Sequence, residues 1–346
     1  MLEPQYRTDS KCIRVFAQSA GVSQRGCSRP LQRVLTDFGA DVPFAKVMDK
    51  LVEHYGIVVC ESTIRNVTQT HAQKIFERSA GQPLLESTGG AAQRTDSLVK
   101  KVFVVETDGT MVPTVRSDPA QPDRRKGKRL QWEEAKVSLA HVKGSKELAY
   151  AATLQGDVDK VGQQLHACAR EAGFANGDQI HALGDGAPWI AQQVRKQFGA
   201  LGSYLVDFYH VCDYLVAAAK TIEPQAEQQK IWLAKQKGRL KTQHVDQVLN
   251  ELQPHLEGQE VPDADAPARC CYRYLSNRQD QLDYQGALEQ GLPIGSGEIE
   301  SAHRYLVQKR LKLPGAWWTA ANAEHMLALR VNRANGEWSQ YWAAAA

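Results

Sequence analysis

The sequence has no run of about twenty apolar residues and no lysine-led apolar stretch at its start, so neither a membrane span nor export is expected. Its seven cysteines include no C-x-x-C pair, and the adjacent Cys270 and Cys271 do not have a structural zinc spacing. Reduced, mostly buried thiols in a cytoplasmic protein are the expectation. A strong charge of one sign is also missing, since 42 Lys and Arg against 39 Asp and Glu leave a formal +3. That balance says little about a nucleic-acid partner, but its distribution says more: Arg124 to Arg129 reads RRKGKR, five cations in six residues. What is abundant is apolar residue, 42% of 346, enough to bury a substantial core in two or three domains and to exclude a wholly disordered chain.

Residues 1–28 are polar and read as irregular. From Pro30 onward, Leu31, Val34, Leu35 and Phe38, then Phe44, Val47, Met48 and Leu51, recur at helical spacing, and Gly56 stops the second helix. A third helix follows with Ser62 as its expected cap and Ile64, Val67, His71 and Ile75 on one side. The short glycine turn between these helices predicts a helix-turn-helix-like domain over 29–78, with Thr63, Arg65 and Asn66 offered to a DNA groove. A plain helical packing unit fits the same pattern. Residues 79–98 read as a linker.

Beyond the linker, apolar strands enter helices. "KVFVVETDG" places Asp108 at an expected strand end and "QIHALGDGAPWI" does the same for Asp185, while "SYLVDFYHVCDYL" carries Asp207 into a helix with His210 one turn later. This rhythm predicts an α/β layer with a mixed sheet, whose carboxyl strand ends are where ligands collect. Residues 219–290 break the rhythm and read as a helical insertion. "PIGSGEIESAHRYLVQKRLKLPG" then opens a late amphipathic helix with Ile299, Ala302, Leu306 and Lys309 along one side. Glu300, His303, Val307 and Arg310 follow the neighbouring ridge. Asp108, Asp185 and Glu300 together would make an oxygen-rich site suited to Mg²⁺, although Asp-Gly turns and helix caps use the same residues. Asp207 could join such a cluster, or it could fix His210 structurally.

The segments "ETDGTMVP", "GDGAPWI", "DFYHVCDYL" and "GSGEIESAHRYLVQKRLKLPG" resemble, in order, the motifs of bacterial insertion-sequence transposases of the Kra group, and the similarity spans roughly Leu31 to Trp338. These are DDE transposases related to the Mutator-like families. The resemblance implies a ribonuclease-H-like mixed-sheet catalytic core over 99–218 and 291–346, interrupted by the insertion and preceded by the small all-α domain. It matches the catalytic, metal-binding acids to Asp108, Asp185 and Glu300. Glu298 is the neighbouring rival, and Glu300 is favoured because the family's glutamate directly precedes a Ser-Ala pair, here Ser301 and Ala302. Asp207 and His210 match a supporting D-x-x-H element.

Two Mg²⁺ ions, with Mn²⁺ as a substitute, are implied as cofactors. The implied partners are double-stranded DNA, with terminal inverted repeats and target DNA, and a homodimer or larger assembly on bacterial nucleoid DNA. Arg124, Arg125, Lys126, Lys128 and Arg129, with Lys309, Arg310 and Lys312, are candidate phosphate contacts. Trp189, Trp317 and Trp318 are candidates for base stacking, with packing the commoner role.

Overall fold

The computed structural model describes residues 5–7, 12–15, 19, 26–81, 100–118, 120, 121, 123 and 127–344. Within the first 28 residues, expected to be irregular, Gln5–Arg7 pairs antiparallel with Cys12–Arg14. Three helices follow: α1 (Arg29–Asp41), α2 (Phe44–Tyr55) and α3 (Glu61–Gly81). Leu35, Val47, Leu51 and Ile64 form their common core at full burial. Gly56 ends α2 in the left-handed conformation at φ 62°, which glycine adopts without a Cβ penalty. Helix α3 runs on through Gly81; residues 82–99, most of the expected linker, lie outside the described residues.

The central sheet has five strands: β1 (Val102–Ser117), β2 (Lys128–Val142), β3 (Ala149–Thr153), β4 (Gln179–Gly184) and β5 (Gly202–Val206). Their spatial order is 3-2-1-4-5; β1, β2 and β3 are antiparallel neighbours, while β4 and β5 run parallel to β1. The fold is therefore mixed α/β. Alternation divides β1 between two cores. Phe103 and Val105 pack with Ile180 and Ala182 beneath α4 (Val158–Glu171) and α5 (Pro188–Phe198). Val104, Leu183 and Leu205 face α6 (Phe208–Ile222) and the helices that follow it. Those are α7 (Ala226–Lys241), α8 (Val245–Leu252), α9 (Pro267–Ser276) and α10 (Tyr284–Glu289), so the stretch read as an insertion is helical.

The chain then returns to the sheet through α11 (Gly297–Ala302), a π-helical turn over His303–Gln308, α12 (Lys309–Leu311), α13 (Ala320–Ala334) and α14 (Trp338–Ala344). Ile299, Ala302, Leu306 and Leu311 share a core with Val112, Val137 and Leu139 of the sheet. Ala40, Ala72 and Ile75 of the N-terminal helices belong to that same core, which makes the two parts one packed body. Buried polar groups reinforce the joint. The His71 ring lies between the Tyr341 hydroxyl at 2.7 Å and Gln32 Oε1 at 2.9 Å, and Arg310 Nε donates to the Gly39 carbonyl at 2.9 Å. Arg330 donates to the carbonyls of Ala40, Tyr305 and Leu306 and to the Asp41 carboxylate. Two of those acceptors, Tyr305 and Leu306, lie in the π turn, where i→i+5 spacing departs from the regular helical ladder. Among the described residues no helix is long and apolar enough to cross a membrane.

Candidate active site

One strand end expected from the sequence is instead mid-strand. Asp108 and Gly109 continue in ladder opposite Val137 and Lys136, and β1 extends to Ser117. Pro113 is tolerated within this long strand because β4 ends before that level, leaving one side of β1 without a continuous ladder. Asp108 nevertheless sits at the carboxyl edge of the parallel part of the sheet. The β1–β4 register runs from Val102↔Gln179 to Glu106↔Leu183, an offset of 183 − 106 = 77, and 185 − 108 is also 77. The β4–β5 register ends at Gly184↔Val206, an offset of 206 − 184 = 22, and 207 − 185 is also 22. Continued two residues past the β1–β4 ladder and one past the β4–β5 ladder, these offsets put Asp108, Asp185 and Asp207 at corresponding positions, with Asp185 and Asp207 just beyond the ends of β4 and β5. The Asp207 N–H continues the pattern by donating to the Gly184 carbonyl at 2.7 Å.

The Asp185 corner is held by backbone geometry and by the helical stretch after α6. Gly186 has φ 86°, and a Cβ there would lie 2.5 Å from the Tyr274 hydroxyl, so this glycine meets both a left-handed backbone and a close approach. Tyr274 of α9 donates to the Asp185 carbonyl at 2.5 Å, and Arg278 Nε donates to the Gly186 carbonyl at 2.8 Å. Asp185 Oδ1 accepts the Ala187 N–H at 2.8 Å. The side chain is thus aimed by its own turn.

Asp207 has a different occupation. Its Oδ1 accepts the N–H groups of Tyr209 at 2.6 Å and His210 at 3.0 Å, while Oδ2 accepts the Ser296 N–H at 2.6 Å and the Ser296 hydroxyl. Four donors fill the acceptor capacity of a carboxylate. Asp207 is therefore a clamp between the end of β5 and the start of α11, not a free ligand. The Asp207–His210 link is made to the His210 backbone, and the His210 ring packs against Tyr214 and Tyr274.

The two late glutamates part company. Glu298 Oε2 lies 2.6 Å from His141 Nε2 on β2, whereas the exposed Glu300 lines a recess with Asp207, Tyr209, Ile294 and Gly295. His303, one helical turn past Glu300, brings Nε2 to 3.3 Å from Asp108 Oδ2. The residues that flank the Glu300 helix thus touch two of the three aspartates, Ser296 before it bonding Asp207 and His303 after it approaching Asp108.

Sequence reasoning missed Glu106. It is 1% exposed, and its Oε2 accepts the Ile299 N–H at 2.7 Å, tying the Asp108 strand directly to the Glu300 helix. The available signal was a lone acid in the apolar run VFVVE. Burial, aided by the Glu298 charge, pushes its carboxyl up to about 8 against the opposing pull of Ile299 N–H and His141. A folded value above the unfolded one means that the folded chain holds the extra proton, so this contribution is complete below about pH 4.5 and is lost as pH rises through about 8. Glu106→Gln keeps the acceptor and removes the ionisation; its melting temperature should fall less than that of the parent chain between pH 6 and pH 9. Glu106→Ala orphans the Ile299 N–H and should cost about 1–3 kcal/mol in urea denaturation. Equal pH slopes for the parent and Glu106→Gln would refute this role.

The basic candidates divide likewise. Arg310 is corrected from a surface phosphate contact to a buried cation, 2% exposed, with its guanidinium 4.7 Å from the ring centroids of both Phe44 and Trp318. It takes the inward position at the end of the late helix, and Lys309, expected on the apolar side, is exposed. Lys312 Nζ donates to Thr110 Oγ1 at 2.6 Å, two residues along β1 from Asp108. Arg65 and Asn66 are exposed near the start of α3, and Thr63 is half-buried. Lys128 and Arg129 are exposed at the far end of β2, while Arg124, Arg125 and Lys126 lie outside the described residues. Trp318 is core, Trp189 is partly buried against the α4–α5 core, and Trp317 is exposed.

Among the described residues no three His, Cys, Asp or Glu side chains close into a ready-made metal cage. Taken singly, three carboxylates keep oxygens of the kind that a hard divalent ion takes. Asp108 is 34% exposed at its side chain, Asp185 Oδ2 accepts no hydrogen bond among the described residues, Glu300 is open to solvent, and Mg²⁺ commonly takes one or two carboxylates with waters and substrate phosphates. No family model matches this sequence, and no curated protein matches it.

Proposed function

We propose that the protein is a DNA transposase with a ribonuclease-H-like core, which cleaves the ends of its element and joins them to target DNA. The observation that supports this reading is the matching register of Asp108 and Asp185 at one edge of the sheet, with the Glu300 helix fastened to that sheet by Glu106 of β1 and by Asp207 after β5. The 3-2-1-4-5 order, with β2 alone antiparallel to both neighbours, supports the same core. Asp108, Asp185 and Glu300 hold two Mg²⁺ ions in this proposal, with Mn²⁺ as a substitute; when bound, such ions polarise the scissile phosphate and favour the attacking oxygen. Water attacks the phosphodiester and leaves a 3′-hydroxyl on the element and a 5′-phosphate on the flank; that 3′-hydroxyl then attacks a target phosphodiester, loses its proton, and displaces the target strand's 3′-oxygen as a hydroxyl. Exposed Arg65 and Asn66 face the end sequences in a DNA groove.

The test supplies the full chain, Mg²⁺ and DNA carrying both ends of the element. Cleaved ends and joined strands are expected, and both are lost in EDTA. Cleavage without joining would make the protein a nuclease, and DNA binding without cleavage in Mg²⁺ or Mn²⁺ would make it a regulator; either result overturns the proposal.

A further inference from the structure

We infer that two copies of this chain pair antiparallel through the free edge of β2, Lys128 to Glu134, and join their sheets across a two-fold axis at Gln131. The inference goes beyond the transposase reading and does not rest on it.

Strand β3 covers the outer edge of β2 only from Lys136 to Ala140. Ahead of that, Lys128 to Ala135 pair with β1 on one side, and among the described residues no strand pairs with them on the other. Bonded and non-bonded pairs alternate along an antiparallel ladder. Both ends of this one fix the alternation, since the Asp118 N–H donates to the Gly127 carbonyl at 2.8 Å and the Lys143 N–H to the Val102 carbonyl at 2.9 Å. The odd-numbered residues of β2 therefore bond β1, and Lys128, Leu130, Trp132 and Glu134 turn their N–H and C=O groups to the open edge. Such an edge is a template for another strand.

The sequence of the edge selects its occupant. It reads KRLQWEE, with cations first, apolar residues inside and anions last. An antiparallel copy centred on Gln131 sets Lys128 opposite Glu134, Arg129 opposite Glu133 and Leu130 opposite Trp132, and the two-fold axis repeats each pair. In this register the outward-facing residues meet one another, so each both donates and accepts. A shift of one residue sets them against groups that already face β1, and a shift of two sets Arg129 against Gln131 or Ala135.

Directly opposed residues share a face of the sheet, and both faces agree with the pairing. Lys128, Leu130, Trp132 and Glu134 lie on the Met111 face, where Leu130 and Trp132 are 57% and 58% exposed and would cover each other. Arg129 and Glu133 lie on the Val112 face. There Arg129 stands opposite Arg116, and Glu133 of the second copy brings an anion to that like-charge pair. The charged side chains keep room for a second partner: Glu134 is 46% exposed beside Lys136 and Arg129 is 79% exposed beside Asp118. Glu133 Oε1 accepts the Thr114 hydroxyl at 3.2 Å, which leaves Oε2 for an arginine.

Sedimentation velocity of the full chain without DNA, across about 1–100 µM, reads the association, and the parent chain should dimerise in that range. Lys128→Glu meets Glu134 twice across the axis and should weaken the dimer about tenfold or more; combining it with Glu134→Lys should restore the parent affinity. That recovery separates the pair between copies from the contact of Lys128 with Trp317, whose ring centroid is 5.7 Å from Nζ. Leu130→Pro removes an outward N–H and no bond to β1, so it should abolish the dimer while the circular dichroism stays that of the parent chain. Gln131→Cys should cross-link two copies under mild oxidation, found as a peptide pair joined at position 131, because a residue on the axis meets itself with about 4.5 Å between Cα atoms. A parent chain that stays monomeric to about 100 µM would overturn the inference. So would a dimer that Lys128→Glu or Leu130→Pro leaves intact, that the double exchange fails to restore, or that Gln131→Cys does not link.

Discussion

Glu300→Gln lowers the rate of end cleavage by about a thousandfold or more, ~4 kcal/mol of transition-state stabilisation, while Glu298→Gln stays within about tenfold of the parent chain. The difference follows from what each carboxylate already touches. Glu298 Oε2 is 2.6 Å from His141 Nε2, whereas Glu300 lies open in the recess beside Asp207 with neither oxygen in an ion pair among the described residues, so Glu300 is the freer of the two for an ion and a phosphate. Asp185→Asn belongs with Glu300→Gln, because its Oδ2 is the oxygen left free by the turn. Single-turnover cleavage with Mg²⁺ and paired-end DNA measures all three. Full loss in Glu298→Gln alone would reverse the assignment, and normal cleavage by Asp185→Asn would remove that residue from the ion site.

Arg330→Met lowers stability by about 3 kcal/mol or more, because three backbone carbonyls lose a charged donor at about 1–3 kcal/mol each, while Asp41 keeps Arg333. Arg330 is 3% exposed and donates to the Leu306 carbonyl at 2.7 Å and to Asp41 Oδ1 at 3.0 Å, besides the carbonyls of Ala40 and Tyr305. Methionine fills much of the volume but leaves these acceptors without their donor. Because they lie on α1 and on the π turn behind Glu300, loss should show in two readouts: a lower urea midpoint and a faster proteolytic release of the N-terminal helices. A stability change below about 1 kcal/mol would mean that water or Arg333 replaces the bonds and that the joint rests on apolar packing alone.

The aspartates were legible because strand ends flanked by glycine have a local signature. Their separations of 77 and 22 residues became informative only with the ladder, which turned both numbers into register offsets. The end of β1 was misread since Asp-Gly is a turn signal, yet cross-strand pairing with Val137 and Lys136 outweighs that local preference. Arg310 looked like a surface cation on a helical ridge. Its aromatic neighbours Phe44 and Trp318 come from distant parts of the chain, and no local pattern announces them. Asp207 was visible as an acid before a helix, but its fourfold engagement depends on Ser296, 89 residues later.

The bonds from Tyr274 and Arg278 to the Asp185–Gly186 backbone bear on any attempt to miniaturise this protein. Trimming residues 219–290 would keep Asp108, Asp185, Asp207 and Glu300 and still remove both struts from beneath Asp185. A working compact version would need a replacement buttress at that corner, for example a short helix returning a hydroxyl and a guanidinium to the same two carbonyls.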